Sequence, residues 1–150
     1  MTQQVFKSSL WLMRTLAAFA LLMASLACHA QPPSTASEKQ IIATVQAQLQ
    51  AFANDDAEKA FSFAAPNIRS MMLNAENFMD MVRNHYAVVY RPSDVVFLKP
   101  KVKGNEAALG VQLTDSDGND WIAIYTLERQ KNKTWRITGC KLTEAAGGMV

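Results

Sequence analysis

Three regimes of apolar spacing divide the chain. The first is an uninterrupted run, residues 15–27, which carries no charge, is preceded by Lys7 and Arg14, and is followed by Cys28, His29 and Ala30. In the second, apolar residues return every three or four positions: Ile41, Val45, Leu49 and Phe52, then Ala57, Ala60, Phe61 and Ala64, then Phe78, Met81, Val82 and Tyr86. That spacing lays side chains along one face of a helix. Ser37 followed by Gln40 has capping-box spacing and opens helix one. Asn54, Asp55 and Asp56 interrupt the pattern and start a short second helix. Pro66 opens a further turn carrying Ile68, Met71 and Met72, and Asn74 caps a third helix that Arg91-Pro92 ends.

From Asp94 onward the period changes. Short apolar or β-branched runs at 95–98, 107–113, 121–127 and 135–142 predict four strands. Their separators, Lys103-Gly104-Asn105, Ser116-Asp117-Gly118-Asn119 and Lys131-Asn132-Lys133, are short enough for antiparallel hairpins. In the third strand Trp121, Ala123, Tyr125 and Leu127 share one face, and Ile122 and Ile124 the other. Helices first and a strand meander afterwards give an α+β domain, with the helices on one side of a curved antiparallel sheet. One sheet face packs the helices; the other lines a cavity or makes a dimer contact.

The run 15–27 reads as the apolar core of an export signal, with a small-x-small cleavage site ending at Ala30. It falls short of the roughly 20 residues a membrane-spanning helix needs, so the mature chain is expected to carry no integral membrane segment. The expected organisation is a cleaved signal peptide (1–30), a flexible lead (31–37) containing Pro32 and Pro33, one domain (38–143) and a flexible tail (144–150). The expected location is periplasmic or secreted. A lipoprotein acylated at Cys28 is the disfavoured alternative, because Leu26 in Ser25-Leu26-Ala27 stands one place too late for a lipoprotein box.

Charge narrows the partners. Of 15 basic and 13 acidic residues, Lys7 and Arg14 lie in the signal, which contains no acid, so the mature chain balances. A balanced surface does not supply the dense phosphate contacts of nucleic-acid binding and gives little attraction to anionic lipid. With Cys28 removed, Cys140 has no disulfide partner and reads as a buried, inert thiol.

Several strings together carry a resemblance. They are Asp55-Asp56-Ala57 with Phe61-Ser62-Phe63-Ala64-Ala65-Pro66, then Phe78-Met79, Met81-Val82-Arg83 and the stretch from Tyr86 to Tyr90-Arg91-Pro92. Tyr125-Thr126-Leu127-Glu128-Arg129-Gln130, Trp135-Arg136-Ile137 and Gly139-Cys140 close the set. Over about residues 38–142 the chain resembles the bacterial family known as domain of unknown function 4864, of the NTF2-like superfamily. The resemblance implies an NTF2-like (cystatin-like) cone, in which three helices close over the bent four-stranded antiparallel sheet and often leave an internal pocket. It transfers no catalytic residue, and the superfamily holds isomerases, dehydratases, ligand binders and noncatalytic dimers.

Candidate chemistry is sparse. Tyr86 and Tyr90, four apart, could present two hydroxyls to one cavity together with Trp121, Tyr125 or Trp135 from the sheet, a composition suited to a mostly apolar pocket. Arg91, between an aromatic residue and a proline, suits either an anionic ligand or, preferably, a tie from the end of helix three to a nearby acid. His85 could act as a general base, but Asp80 lies five residues away, off the helical neighbour spacing. Asp55 and Asp56, at a helix start, are read as caps rather than as acid catalysts or metal ligands. Asp115, Asp117, Asn119 and Asp120 resemble a calcium loop, but Gly118 is misplaced and the closing glutamate is missing. No metal or cofactor site is expected. The expectation is a non-catalytic module for a small apolar ligand or a protein partner, with a homodimer as one form. The alternative is a cofactor-free isomerase, dehydratase or hydrolase using His85 or a tyrosine.

Overall fold

The computed structural model describes residues 35–145. The run 15–27, Cys28, the cleavage position at Ala30, residues 31–34 of the expected lead (31–37) and residues 146–150 of the expected tail (144–150) lie outside them. Helix α1 (Thr35–Ala53) starts two residues before Ser37 and buries Ile41, Val45, Gln48, Leu49 and Phe52 as one stripe. Asp55 then takes a left-handed backbone (φ 57°), which ends the helix and turns the chain.

Asp56 caps α2 (Ala57–Ser62), its carboxylate accepting from the Lys59 N–H at 3.0 Å. Residues 63–65 leave the helix and run beside strand β5 (Trp135–Glu144): Ala65 N–H donates to Ile137 O at 2.7 Å and Ile137 N–H to Phe63 O at 2.9 Å. Pro66 opens α3 (Pro66–Met72) at a position where its missing N–H costs nothing. Asn74 caps α4 (Ala75–His85), accepting from Asn77 N–H at 2.8 Å.

The third helix does not run unbroken to Arg91. Tyr86 (φ −134°, ψ 45°) breaks it, and α5 (Ala87–Tyr90) continues at a new angle. A continuous helix carrying Phe78, Val82 and Val89 inward would leave Val88 to one side; with the break, Val88 and Val89 are both buried.

The sheet has five strands rather than the expected four: β1 (Asp94–Phe97), β2 (Lys101–Lys103), β3 (Glu106–Thr114), β4 (Asp120–Arg129) and β5. All pairings are antiparallel in the order β1-β3-β4-β5, and β2 pairs with the other end of the β3 edge that β1 uses. Val102 is the one apolar residue of β2, too weak a pattern to mark a strand in the sequence. Between β1 and β2 the chain lifts off at Lys99 and Pro100, while Leu98 N–H still donates to Gly110 O at 2.9 Å. The Leu98 side chain fills the space beside Gly110, where a Cβ would stand 2.9 Å from Leu98 Cδ1.

Register aligns the inner face in cross-strand rows: Val111, Ala123 and Leu142; Leu109, Tyr125 and Cys140; Ala107, Leu127 and Ile137. These rows pack against α1, α2, α4 and α5, where Phe78 meets Phe61 at 5.5 Å and Phe52 at 5.9 Å between ring centroids. Thr138 is an extra residue of β5 between the partners of Thr126 and Leu127, a bulge that bends the sheet over the helices. Its carbonyl accepts from Asn67 Nδ2 at 3.1 Å, which ties α3 to the bent strand.

Candidate ligand cavity

Between α3, α4, the end of α1 and the inner face of β4 and β5 lies a cavity of about 240 Å³. It lies between the helices and the inner sheet face, the face that packs the helices, and not on the opposite face as the alternation in β4 allowed. Phe52 and Gln48 of α1 and Phe78 and Val82 of α4 form one wall, and Tyr125, Ile137 and Cys140 of the sheet form the other. Ile68, Met71 and Met72 of α3, with Met81, border it where Met71 is exposed to solvent. Thioether side chains adapt to irregular apolar shapes, which suits a rim.

The described residues that line the cavity include no carboxylate, ammonium, guanidinium or imidazole. Its polar groups are neutral. Gln48 is buried and donates from Nε2 to Ala60 O at 3.1 Å. The Tyr86 hydroxyl donates to Cys140 O at 3.4 Å. Tyr125 Oη is fully buried beside the Cys140 thiol. Burial, and secondly the Cys140 thiol beside it, hold the Tyr125 phenol well above its usual pKa. Burial likewise pushes the Cys140 thiol up to about 12. Both groups are therefore protonated near neutral pH, and neither is a ready base or nucleophile.

Of the expected contact residues, Tyr86 and Tyr125 border the cavity, whereas Tyr90, Arg91 and Trp121 do not. Trp121 Nε1 donates to Asp115 Oδ2 at 3.0 Å. Asp115 also accepts from the N–H groups of Asp117 and Asn119, so this loop is a hairpin turn organised by one carboxylate. Tyr90 and Arg91 belong to a latch around Asp55, which corrects the reading of Asp55 as a cap. Its Oδ1 accepts from the Tyr90 hydroxyl and from Arg83 Nη2 at 3.0 Å, and its Oδ2 accepts from Arg91 Nη2 at 2.8 Å. The left-handed turn at Asp55 swings its carboxylate toward α4 and α5, leaving Asp56 to cap α2. Both guanidiniums also lie over the Tyr90 ring, at 5.5 Å for Arg83 and 4.9 Å for Arg91. Arg91 is thus the tie from the helix end to an acid. His85 is exposed and borders no part of the cavity.

Gln48, a polar residue of the cavity wall, and Arg83 of the latch were not singled out by the sequence. Gln48 was legible in principle, as a polar residue on the stripe of Ile41, Val45, Leu49 and Phe52. Arg83 was not, because nothing in the sequence relates it to Asp55.

The chain is similar to solved structures of low identity. One, an NTF-2 like protein of unknown function from Silicibacter pomeroyi DSS-3, is 17% identical over 75% of this chain and 100% of its own, with a TM-score of 0.50. Another, from Shewanella baltica OS155, described as an NTF2-like protein of unknown function, is 7% identical over 77% of this chain and 100% of its own, also with a TM-score of 0.50. At these identities the likeness concerns the fold alone, and the fold is NTF2-like. No curated protein matches the chain. Residues 34–150 match the family described as Domain of unknown function (DUF4864), and the chain belongs to that family.

Proposed function

We propose that this protein is exported from the cytoplasm and binds a small, mostly apolar molecule in the cavity beneath α3 and α4. The carrying observation is a cavity of about 240 Å³ walled by Phe52, Phe78, Val82 and Ile137, with only uncharged polar groups among the described lining residues. Binding is favoured over acid–base catalysis because the described lining residues include no carboxylate, ammonium or imidazole, and burial holds Tyr125 and Cys140 in their protonated forms. Export rests on the run 15–27 with its flanking Lys7 and Arg14 and the small residues ending at Ala30.

Native mass spectrometry of the protein purified from its own host tests both parts. The expected mass is that of a chain beginning at Gln31 and carrying a stoichiometric small molecule. A full-length or acylated chain would overturn cleavage at Ala30. Val82→Phe places a ring in the cavity and is expected to remove the ligand while leaving the melting temperature within a few degrees. Retention of the ligand in that variant would place it elsewhere.

A second reading, a homodimer through the outer sheet face, is favoured by Val96, Leu98 and Ile124, large apolar side chains exposed on or beside that face. An empty dimer in the same spectrum would support it over ligand binding.

A further inference from the structure

We infer that α3 is a lid over the cavity, hinged at Leu73, and that a bound apolar molecule draws Met71 and Leu73 out of solvent as the hinge leaves its strained backbone. This rests on the reading of the cavity as a ligand site and adds how that site closes.

The hinge is read from an unusual turn. Leu73 has φ 69° and ψ −44°, and the Asn74 N–H donates to Met72 O at 2.9 Å across it. That is a γ-turn of the rare, strained hand. Two other described non-glycine residues have positive φ, and each has a local reason. Asp55 is held by the partners of its carboxylate, and Lys133 belongs to the hairpin turn after β4. Leu73 has neither: its side chain is 79% exposed, so packing does not offset the strain. Asn77 Nδ2 holds the turn from the backbone side, donating to the same Met72 O at 3.1 Å. Strain of this kind gathers at ligand clamps and switches, where a second conformation releases it.

The helix before this turn is built as a cover. None of the seven residues of α3 is buried, although Ile68, Met71 and Met72 all border the cavity. Met71, 69% exposed, and Leu73 are the two most exposed large apolar side chains among the described residues, and both stand at this end of α3. The two ends of the helix are held differently. Its start is fixed to β5 by Ala65 N–H on Ile137 O at 2.7 Å and by Asn67 Nδ2 on Thr138 O at 3.1 Å. Its end rests on the strained turn. A swing about the β5 attachment that returns Leu73 to negative φ lowers the Met71 end of α3 onto the mouth. Without an occupant those two side chains gain little by moving inward; an apolar molecule gives them a surface to bury against.

The test uses indane, a neutral hydrocarbon, with affinity measured by calorimetry on the exported protein. Methionine methyl resonances report the lid, read against a soluble paramagnetic agent. On saturation with indane the Met71 methyl is expected to lose most of its paramagnetic relaxation. Leu73→Gly makes the open turn free of strain, so the free variant should melt a few degrees higher while closure loses its drive. Leu73→Ala keeps the strain and removes only the covering side chain. Leu73→Gly should therefore bind indane about fivefold or more weaker than Leu73→Ala, the lower end of what one strained residue stores. A Met71 methyl as exposed in the complex as in the free protein, or equal affinity of the two variants, would overturn the lid and leave the cavity reading standing. Absence of both binding heat and any shift of the Met71, Met72 and Met81 methyls would overturn the cavity reading, and the lid with it. If either variant does not fold, the Met71 methyl of the wild type still decides.

Discussion

Asp55 shows how one residue joins distant parts of the chain. Asp tolerates the left-handed backbone better than most residues, so φ 57° suits it, and the turn aims its carboxylate at Tyr90, Arg83 and Arg91. The Tyr90 hydrogen bond first, and the Arg83 hydrogen bond second, hold its pKa below the usual carboxylate range. Asp115 is held down at about 2, chiefly by the Trp121 indole N–H and then by the Asn119 N–H. A carboxylate with a depressed folded pKa stabilises the fold above its unfolded pKa, and that contribution disappears as pH falls through the folded value. Stability measured by thermal melts is therefore expected to decline between about pH 4 and about pH 2. Asp55→Asn and Asp115→Asn should each flatten that decline. An unchanged acid profile in both variants would show that other carboxylates carry it. The caps at Asp56 and Asn74 were legible because a helix start needs an acceptor within three residues. The latch was not, because Asp55 and Arg83 are joined only by folding.

At the scale of elements, β5 carries two tasks on one strand. Its bulge at Thr138 bends the sheet, and immediately beyond it Gly139 and Cys140 face the cavity. Burial there pushes the Cys140 thiol up to about 12, so thiolate is scarce at ordinary pH. Native protein at pH 8 is expected to react with a thiol reagent at least about a hundredfold slower than unfolded protein; comparable rates would mean that β5 opens readily or that the thiol is accessible. The hairpin turns after β3 and β4 were legible from their Gly, Asn and Asp residues. Strand β2 was not: Lys101, Val102 and Lys103 offer no run, and they are a strand because β3 extends beyond β1 and leaves an edge to pair. The break at Tyr86 was equally silent, since the apolar spacing continues through it and only the burial of both Val88 and Val89 requires it.

At the scale of the whole molecule, the sheet's inner rows and the helical stripes form one core, with Leu109 fully buried near its centre. Leu109→Ala removes a side chain from close packing and should cost about 2–5 kcal/mol in chemical denaturation, because a site enclosed by Tyr125, Val111 and the helices has little room to collapse. A loss below about 1 kcal/mol would indicate a core loose enough to refill the gap. The sequence by itself determined the helix stripes, three of the turns, the order of helices before strands and hence the α+β class, because periodicity and turn chemistry are local properties of the chain. The strings of residues 38–142 also carried its family. Only the tertiary structure decided which aromatics border the cavity, because the direction of a side chain depends on helix breaks, bulges and left-handed turns that move it by a full face. For that reason Tyr86 and Tyr90, four residues apart, serve a cavity and a latch.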